Sequence, residues 1–236
     1  MESFKRYEQS GIPVVIKNIM IINTLVLIAT ELLGYKTFAF EQFALYYPFS
    51  PEFRPLQLIT HIFLHGGFLH FFFNMFTLFN FGIILERVWG SKRFLVFYIL
   101  TGIGAAVFYS MTKVLIVYYY TGGIDLYVNM PIEISDPAII NKLGQQLSPC
   151  VGASGAICGV LAAFAVLFPN TMIMSMIPPI PMKAKYFIPL FMLLSLTMGV
   201  VNFSWDNVAH FAHLGGAIIG YILVKFWNIH NKTEFY

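Results

Sequence analysis

The stretch Val151–Phe168 reads VGASGAICGVLAAFAVLF, 18 residues without a charged side chain. About 20 predominantly apolar residues carry a helix across the hydrocarbon core of a bilayer, so this run reads as a membrane span. It opens on Gly152-Ala153-Ser154-Gly155, and Gly155, Gly159 and Ala163 recur at four-residue spacing, a ridge of small side chains on one helix face. Five further stretches are comparably apolar: Pro13–Leu33, Phe68–Leu85, Phe94–Tyr119, Tyr186–Val201 and Val208–Trp227. Together the six predict an all-α membrane protein, a six-transmembrane-helix bundle over residues 13–228, with short polar tails at 1–12 and 229–236.

Composition agrees. The chain is 58% hydrophobic and 11% charged, with mean hydropathy +0.73, whereas a soluble domain carries about a quarter charged residues. A net charge of +3 without a basic, aromatic-interleaved cluster excludes a nucleic-acid partner. Cys150 and Cys158, about 12 Å apart if both lie on one helix, suit neither a disulfide nor a metal framework. No small-residue cleavage site follows the first apolar run, which therefore reads as a retained helix rather than a signal peptide.

Lys and Arg placement sets the orientation. With six spans, Lys5, Arg6, Lys17, Arg87, Lys92, Arg93, Lys183, Lys185, Lys225 and Lys232 fall on one side, and Lys36, Arg54 and Lys142 on the other. This bias puts both termini in the cytoplasm, and Glu41, Glu52, Asp125, Glu133, Asp136 and Asp206 outside. Lys113 lies within the third span and is expected to snorkel outward. Of the two long outer loops, Tyr35–Gly67 is rich in Phe, Tyr and Pro and reads as interfacial, and Tyr120–Ser148 reads as polar and exposed. The inner segment with Pro169, Pro178, Pro179 and Pro181 reads as a turn region.

Polar groups inside a bilayer are costly and are functional candidates by default. Three clusters occur. His61, His65, His70 and Asn74 crowd the start of the second span, with His70 and Asn74 on one helix face. They are either helix–helix glue or hydrogen-bond donors into a shared cavity. Gly152-Ala153-Ser154-Gly155 is either a packing motif or a turn that brings backbone close to a substrate while the Ser154 hydroxyl projects. In the last span, Ala212-His213-Leu214-Gly215-Gly216 continues to Gly220, so His213, Gly216 and Gly220 share a face. Matching small-residue ridges predict close packing of the fourth and sixth spans, with Ser154 and His213 in hydrogen-bond reach. His210, one turn nearer the outer surface, is the second candidate base. These groups supply a nucleophile, a base and oxyanion donors, the minimum for acyl transfer. Asp206 lies in the loop before the last span, so a Ser-His dyad is the economical reading.

The motifs His70-x-x-x-Asn74, Gly152-x-Ser154-Gly155 and Ala212-His213-x-x-Gly216-x-x-x-Gly220, in this order on the second, fourth and sixth of six spans, resemble those of the rhomboid intramembrane serine proteases. Glu86-Arg87 followed by Gly90 is similar to the end of that family's second helix. The resemblance implies an intramembrane serine endopeptidase acting through Ser154 as nucleophile and His213 as base. His70, Asn74 and the Ser154 backbone amide would hold the oxyanion, and Gly152 and Ala153 would border the substrate. It implies single-pass transmembrane protein substrates, cut near the outer end of their helix, and a multi-pass protein of the lipid bilayer, in a bacterial inner (plasma) membrane. It implies no metal and no cofactor. Two departures stand out. Leu56-Gln57 occupies the place of a Trp-Arg pair found in some bacterial members. Cys158 stands where some members place a Tyr against the histidine, which predicts a looser contact on the His213 ring. A rhomboid-like pseudoenzyme would lack the Ser or the His, and a transporter would show repeated halves and midplane charges.

Overall fold

The computed structural model describes residues 11–124, 139, 143–144, 148–174, 180–201 and 209–230. The expected tails at 1–12 and 229–236, most of the loop 120–148 with Lys142, and Asp206 with Val208 at the start of the last run lie largely or wholly outside the described residues.

Helix α1, Val14–Glu31, starts where Pro13 holds φ at −57°. Its first amides are closed by Glu86, whose two carboxylate oxygens accept from Val15 N at 2.9 Å and Ile16 N at 2.8 Å. A buried carboxylate suits that end because it satisfies orphan N–H groups and faces the positive end of the helix dipole. Short helices α2, Lys36–Phe43, and α3, Gln57–Thr60, then a single 3₁₀ turn at His61–Phe63, fill the first long loop. Helix α4, Phe68–Trp89, contains a π-helical turn at Leu78–Gly82. Gly90, at φ +80°, breaks it from α5, Ser91–Thr121, which ends at the left-handed Gly122. Helix α6 is Ser154–Leu167. Strands β1, Met172–Met174, and β2, Pro181–Lys183, pair antiparallel with Ile173 opposite Met182, inside the segment read as a turn region. Helices α7, Ala184–Val201, and α8, His210–His230, complete the order.

Among the described residues four helices, α1, α4, α5 and α7, are long and apolar enough to cross a membrane. Their large apolar side chains point outward, among them Leu25, Phe68, Leu115 and Leu194. Polar Asn23, Thr101, Ser110 and Ser195 are buried, the inversion expected where the surrounding solvent is lipid. Helix α6 differs. It is buried along most of its length, as an all-round apolar helix must be in a bundle centre. Its 14 residues rise about 21 Å, less than the span read from Val151. Val151-Gly152-Ala153 stay non-helical because Gly152 takes φ +126°, a conformation reserved for glycine.

Around α6 the glycines act as the small-residue ridges predict. A Cβ on Gly220 would lie 2.6 Å from the Gly159 Cα and carbonyl oxygen, and one on Gly216 would be 2.7 Å from the Gly155 carbonyl carbon. The backbones of α6 and α8 therefore touch. Gly155 and Gly159 give the same close access to Ala105 and Thr101 of α5.

The first loop is folded onto this bundle, with Ala44, Leu45, Tyr47, Ile62 and Leu64 buried and Phe38, Phe49 and Leu56 turned outward. Gln57 anchors it. This fully buried side chain accepts at Oε1 from Arg54 N (3.1 Å) and Tyr46 N (3.4 Å), and donates from Nε2 to Glu52 O (3.0 Å) and Gln42 O (3.5 Å). One amide thus ties together four backbone groups of the loop. Lys113 departs from its expected snorkelling. It is buried, its Nζ donates to Ser148 O at 2.6 Å, and it lies 4.8 Å from the Tyr109 ring centre. A carbonyl and an aromatic face inside the protein replace water as its partners.

Candidate active site

Ser154 is the first residue of α6, so its own amide and the next two point out of the helix without intrahelical partners. The chain leading to it is fixed by backbone pairing. Leu45 and Cys150 exchange N–H···O bonds of 2.9 and 2.8 Å, and Gly152 N donates to His61 O at 2.9 Å. Non-helical backbone at membrane depth requires such internal satisfaction. It presents the hydroxyl at a defined place.

His213 sits one turn into α8, and its Nε2 is 2.8 Å from Ser154 Oγ. The close approach of Gly216 and Gly220 to α6 brings the two side chains together. His210 does not reach the serine in this way. Its Nδ1 lies 3.0 Å from Ser195 Oγ of α7, and the two histidine rings meet edge-on at 6.0 Å. Ser195 Oγ is also 3.4 Å from His213 Nδ1. Sequence reading did not single out Ser195. Its one available signal was its place on the buried stripe Ala184, Ile188, Met192 and Ser195 of α7. Cys158 is buried among Ala162, Met192 and Ala217.

On the other side of Ser154 stands His70. An ideal Cβ on Gly152 would meet His70 Cε1 at 2.7 Å and Nε2 at 2.8 Å, and Ser154 Oγ at 3.6 Å. The imidazole edge and the hydroxyl therefore flank the bare Gly152 α-carbon. Gly66 N donates to His70 Nδ1 at 3.2 Å. With Nδ1 accepting, a neutral ring carries its proton on Nε2, the nitrogen beside Gly152. Asn74 Nδ2 donates to His70 O at 2.7 Å and keeps a second N–H. His70, Asn74, Lys113, Ser148, Ser154 and His213 all line one cavity of about 1220 Å³. Ala153, fully buried, caps α6 beneath it. Gly152→Ala is expected to lose activity at least about tenfold with α6 intact, since the new methyl both strains a positive φ and displaces His70. A kinetic comparison of purified variant and wild type checks this, and equal rates would refute it.

His61 and His65 support the site from outside the spanning helix. His61 Nδ1 lies 2.8 Å from Gln57 O, and His65 packs edge-on against His70 (5.2 Å) and Phe71 (5.5 Å). Burial lowers His61 to about 4, and burial followed by the neighbouring His70 lowers His65 to about 3. Both are neutral in the fold and take a proton at about 6.5 once unfolded. Below that value the unfolded chain binds more protons, so stability falls with pH until the folded-state values near 4 and 3 are reached. Each group contributes up to about 1.4 kcal/mol per pH unit in this window. The thermal midpoint in detergent is expected to drop steadily from pH 6.5 to 4, with a shallower slope in His61→Gln. A flat profile would contradict this. Among the described residues no group of three His, Cys, Asp or Glu is placed to hold a metal ion.

Fold and site together define a multi-pass helical membrane protein with a serine–histidine contact inside the bundle. Residues 52–227 match the rhomboid domain. The chain is 32% identical over 161 residues to the rhomboid protease AarA of Providencia stuartii, covering 68% of this chain and 51% of that protein. It is 31% identical over 172 residues to the putative rhomboid protease YdcA of Bacillus subtilis, covering 72% of this chain and 67% of that one. It therefore belongs to the rhomboid family, and it spans about half the length of the Providencia relative.

Proposed function

We propose that this chain is an intramembrane serine endopeptidase working through a Ser154–His213 dyad on single-pass transmembrane proteins, near the outer end of their membrane segment. The observation that carries the reading is the 2.8 Å contact between Ser154 Oγ and His213 Nε2 at the start of a helix with free N-terminal amides. Two relatives named rhomboid proteases support it.

In the proposed reaction Ser154 Oγ attacks the scissile carbonyl carbon as its proton passes to His213 Nε2. The oxyanion takes hydrogen bonds from His70 Nε2–H, the Ser154 backbone N–H and the second Asn74 N–H. Collapse breaks the C–N bond, and His213 returns the proton to the leaving amine. Water from the cavity then adds to the acyl carbon, giving a proton to His213, and Ser154 Oγ leaves by taking that proton back from His213. The bare backbone at Gly152 and Ala153 borders the substrate strand. A helical substrate shields its carbonyls by hydrogen bonding, so helix-weakening residues favour cleavage.

The reading takes residues 13–228 as one six-helix membrane domain with cytoplasmic ends, 1–12 and 229–236 as its tails, and a bacterial plasma membrane as its location. The supporting observation is the ten-to-three division of Lys and Arg across six spans. The test is reconstitution in liposomes with a single-span substrate, and mass determination of the products. Cleavage at the outer end of the substrate helix, absent in Ser154→Ala, is expected. Products from a soluble domain alone, or cleavage persisting in Ser154→Ala, would overturn the reading.

A further inference from the structure

We propose that Ser195 of α7 is a positioning residue that fixes the tautomer of His213, through a directed hydrogen-bond chain Ser154–His213–Ser195–His210. The inference deepens the Ser154–His213 reading and rests on it.

Ser195 Oγ lies between two imidazole nitrogens of the same kind, 3.4 Å from His213 Nδ1 and 3.0 Å from His210 Nδ1. A hydroxyl has one proton to donate and lone pairs to accept. It donates to at most one Nδ1 at a time, and in a directed chain the other ring donates to it. In that chain the two histidines are opposite tautomers. Ser154 decides which. For Ser154 to give its proton to His213 Nε2, 2.8 Å away, that nitrogen must be bare and Nδ1 must carry the hydrogen. His213 Nδ1–H then donates to Ser195 Oγ, and Ser195 O–H donates to His210 Nδ1. His210 carries its hydrogen on Nε2. Reversing the chain puts the proton on His213 Nε2, where Ser154 has no base.

Ser195 thus occupies the place that an aspartate fills in a three-member site, where orienting the imidazole is the third group's task. A neutral hydroxyl selects the tautomer without stabilising an imidazolium as strongly as a carboxylate does. The effect of losing it is accordingly expected below the loss of about 10⁴ caused by a wrong tautomer in an aspartate-supported site. Ser195 is 5% exposed and reaches the histidines from the buried stripe of α7, so the contact is internal to the protein. His210, the second candidate base from sequence, becomes the acceptor that keeps Ser195 pointing away from His213.

The test uses the full chain in liposomes with a single-span substrate. Wild type and Ser154→Ala are compared first, because only cleavage that needs Ser154 bears on Ser195. Given that, Ser195→Ala is expected to lower kcat about 10- to 100-fold with KM within about twofold, and Ser195→Thr to recover most of it by restoring the hydroxyl. In ¹⁵N-histidine-labelled wild type, His213 is expected to show a protonated Nδ1 and bare Nε2, and His210 the opposite pattern. Unchanged kcat in Ser195→Ala, failure of Ser195→Thr to recover activity lost in Ser195→Ala, or the same tautomer in both rings, would overturn the proposal while leaving the dyad standing. Cleavage by Ser154→Ala would instead overturn the dyad.

Discussion

Ser154→Ala is expected to reduce cleavage of a membrane-embedded substrate by at least about 10⁴-fold, with thermal stability essentially that of wild type. The two halves of this expectation have separate physical grounds. For stability, the hydroxyl contributes one hydrogen bond, to His213 at 2.8 Å, and a hydrogen bond is worth about 1 kcal/mol net. Alanine is also a better helix former than serine at the start of α6. For activity, Oγ of Ser154 is the group held against His213 Nε2, and the neighbouring thiol is not placed to replace it. Cys158, one turn further, is packed among Ala162, Met192 and Ala217. His213→Ala is expected to lose a similar factor, and the double variant no more than either single one, because nucleophile and base act as a unit. Initial rates in liposomes, with thermal midpoints measured in parallel, check all three. Loss of activity accompanied by loss of fold would point to a structural role, and multiplicative effects in the double variant would count against a dyad.

What the sequence made legible follows from the chemistry of the bilayer. Lipid forces apolar runs of defined length, so α1, α4, α5 and α7 stand out by composition, and it penalises stray polar groups, so His70, Asn74, Ser154 and His213 stand out against them. The glycine spacings forecast the α6–α8 contact because only small residues let two backbones meet. Three features were hidden for physical reasons. The start of α6 at Ser154 depends on Gly152 adopting a positive φ, which apolar periodicity does not report. Gln57 serves as anchor through four backbone groups up to 15 residues away in the chain, a set of partners that only the folded loop brings together. Ser195 resembles any serine in a helix. Nearby Thr197 bonds its own helix at Leu193 O, and nothing in their letters separates the two. The snorkelling expectation fails for Lys113, because it assumes water is the nearest partner, and here the Ser148 carbonyl is.

Gly216→Ala is expected to disable the protein by a route unrelated to chemistry at the serine. A Cβ at this position overlaps the Gly155 carbonyl oxygen and lies 2.7 Å from its carbon. Both atoms are backbone, so no rotamer change relieves the clash. Carbon–oxygen contacts settle at about 3.3 Å or more, and α8 must retreat from α6 by over about 1 Å. His213, three residues earlier on the same face, moves with it. From 2.8 Å such a shift takes Ser154 Oγ and His213 Nε2 beyond hydrogen-bond distance. Overpacking of this kind costs about 1–3 kcal/mol and sometimes more, and a misplacement near 1 Å can cost about 100-fold in rate. Gly82→Ala in α4 is the control. Its Cβ would meet the free ends of flexible side chains, Ile16 Cδ1 at 2.5 Å and Leu78 Cδ1 at 3.0 Å, which can yield, so it is expected to retain more activity and a higher thermal midpoint. Measuring both variants for midpoint, and for labelling of Ser154 by a fluorophosphonate, separates the two sites. Equal behaviour of Gly82→Ala and Gly216→Ala would mean that the α6–α8 backbone contact does not set the distance between nucleophile and base.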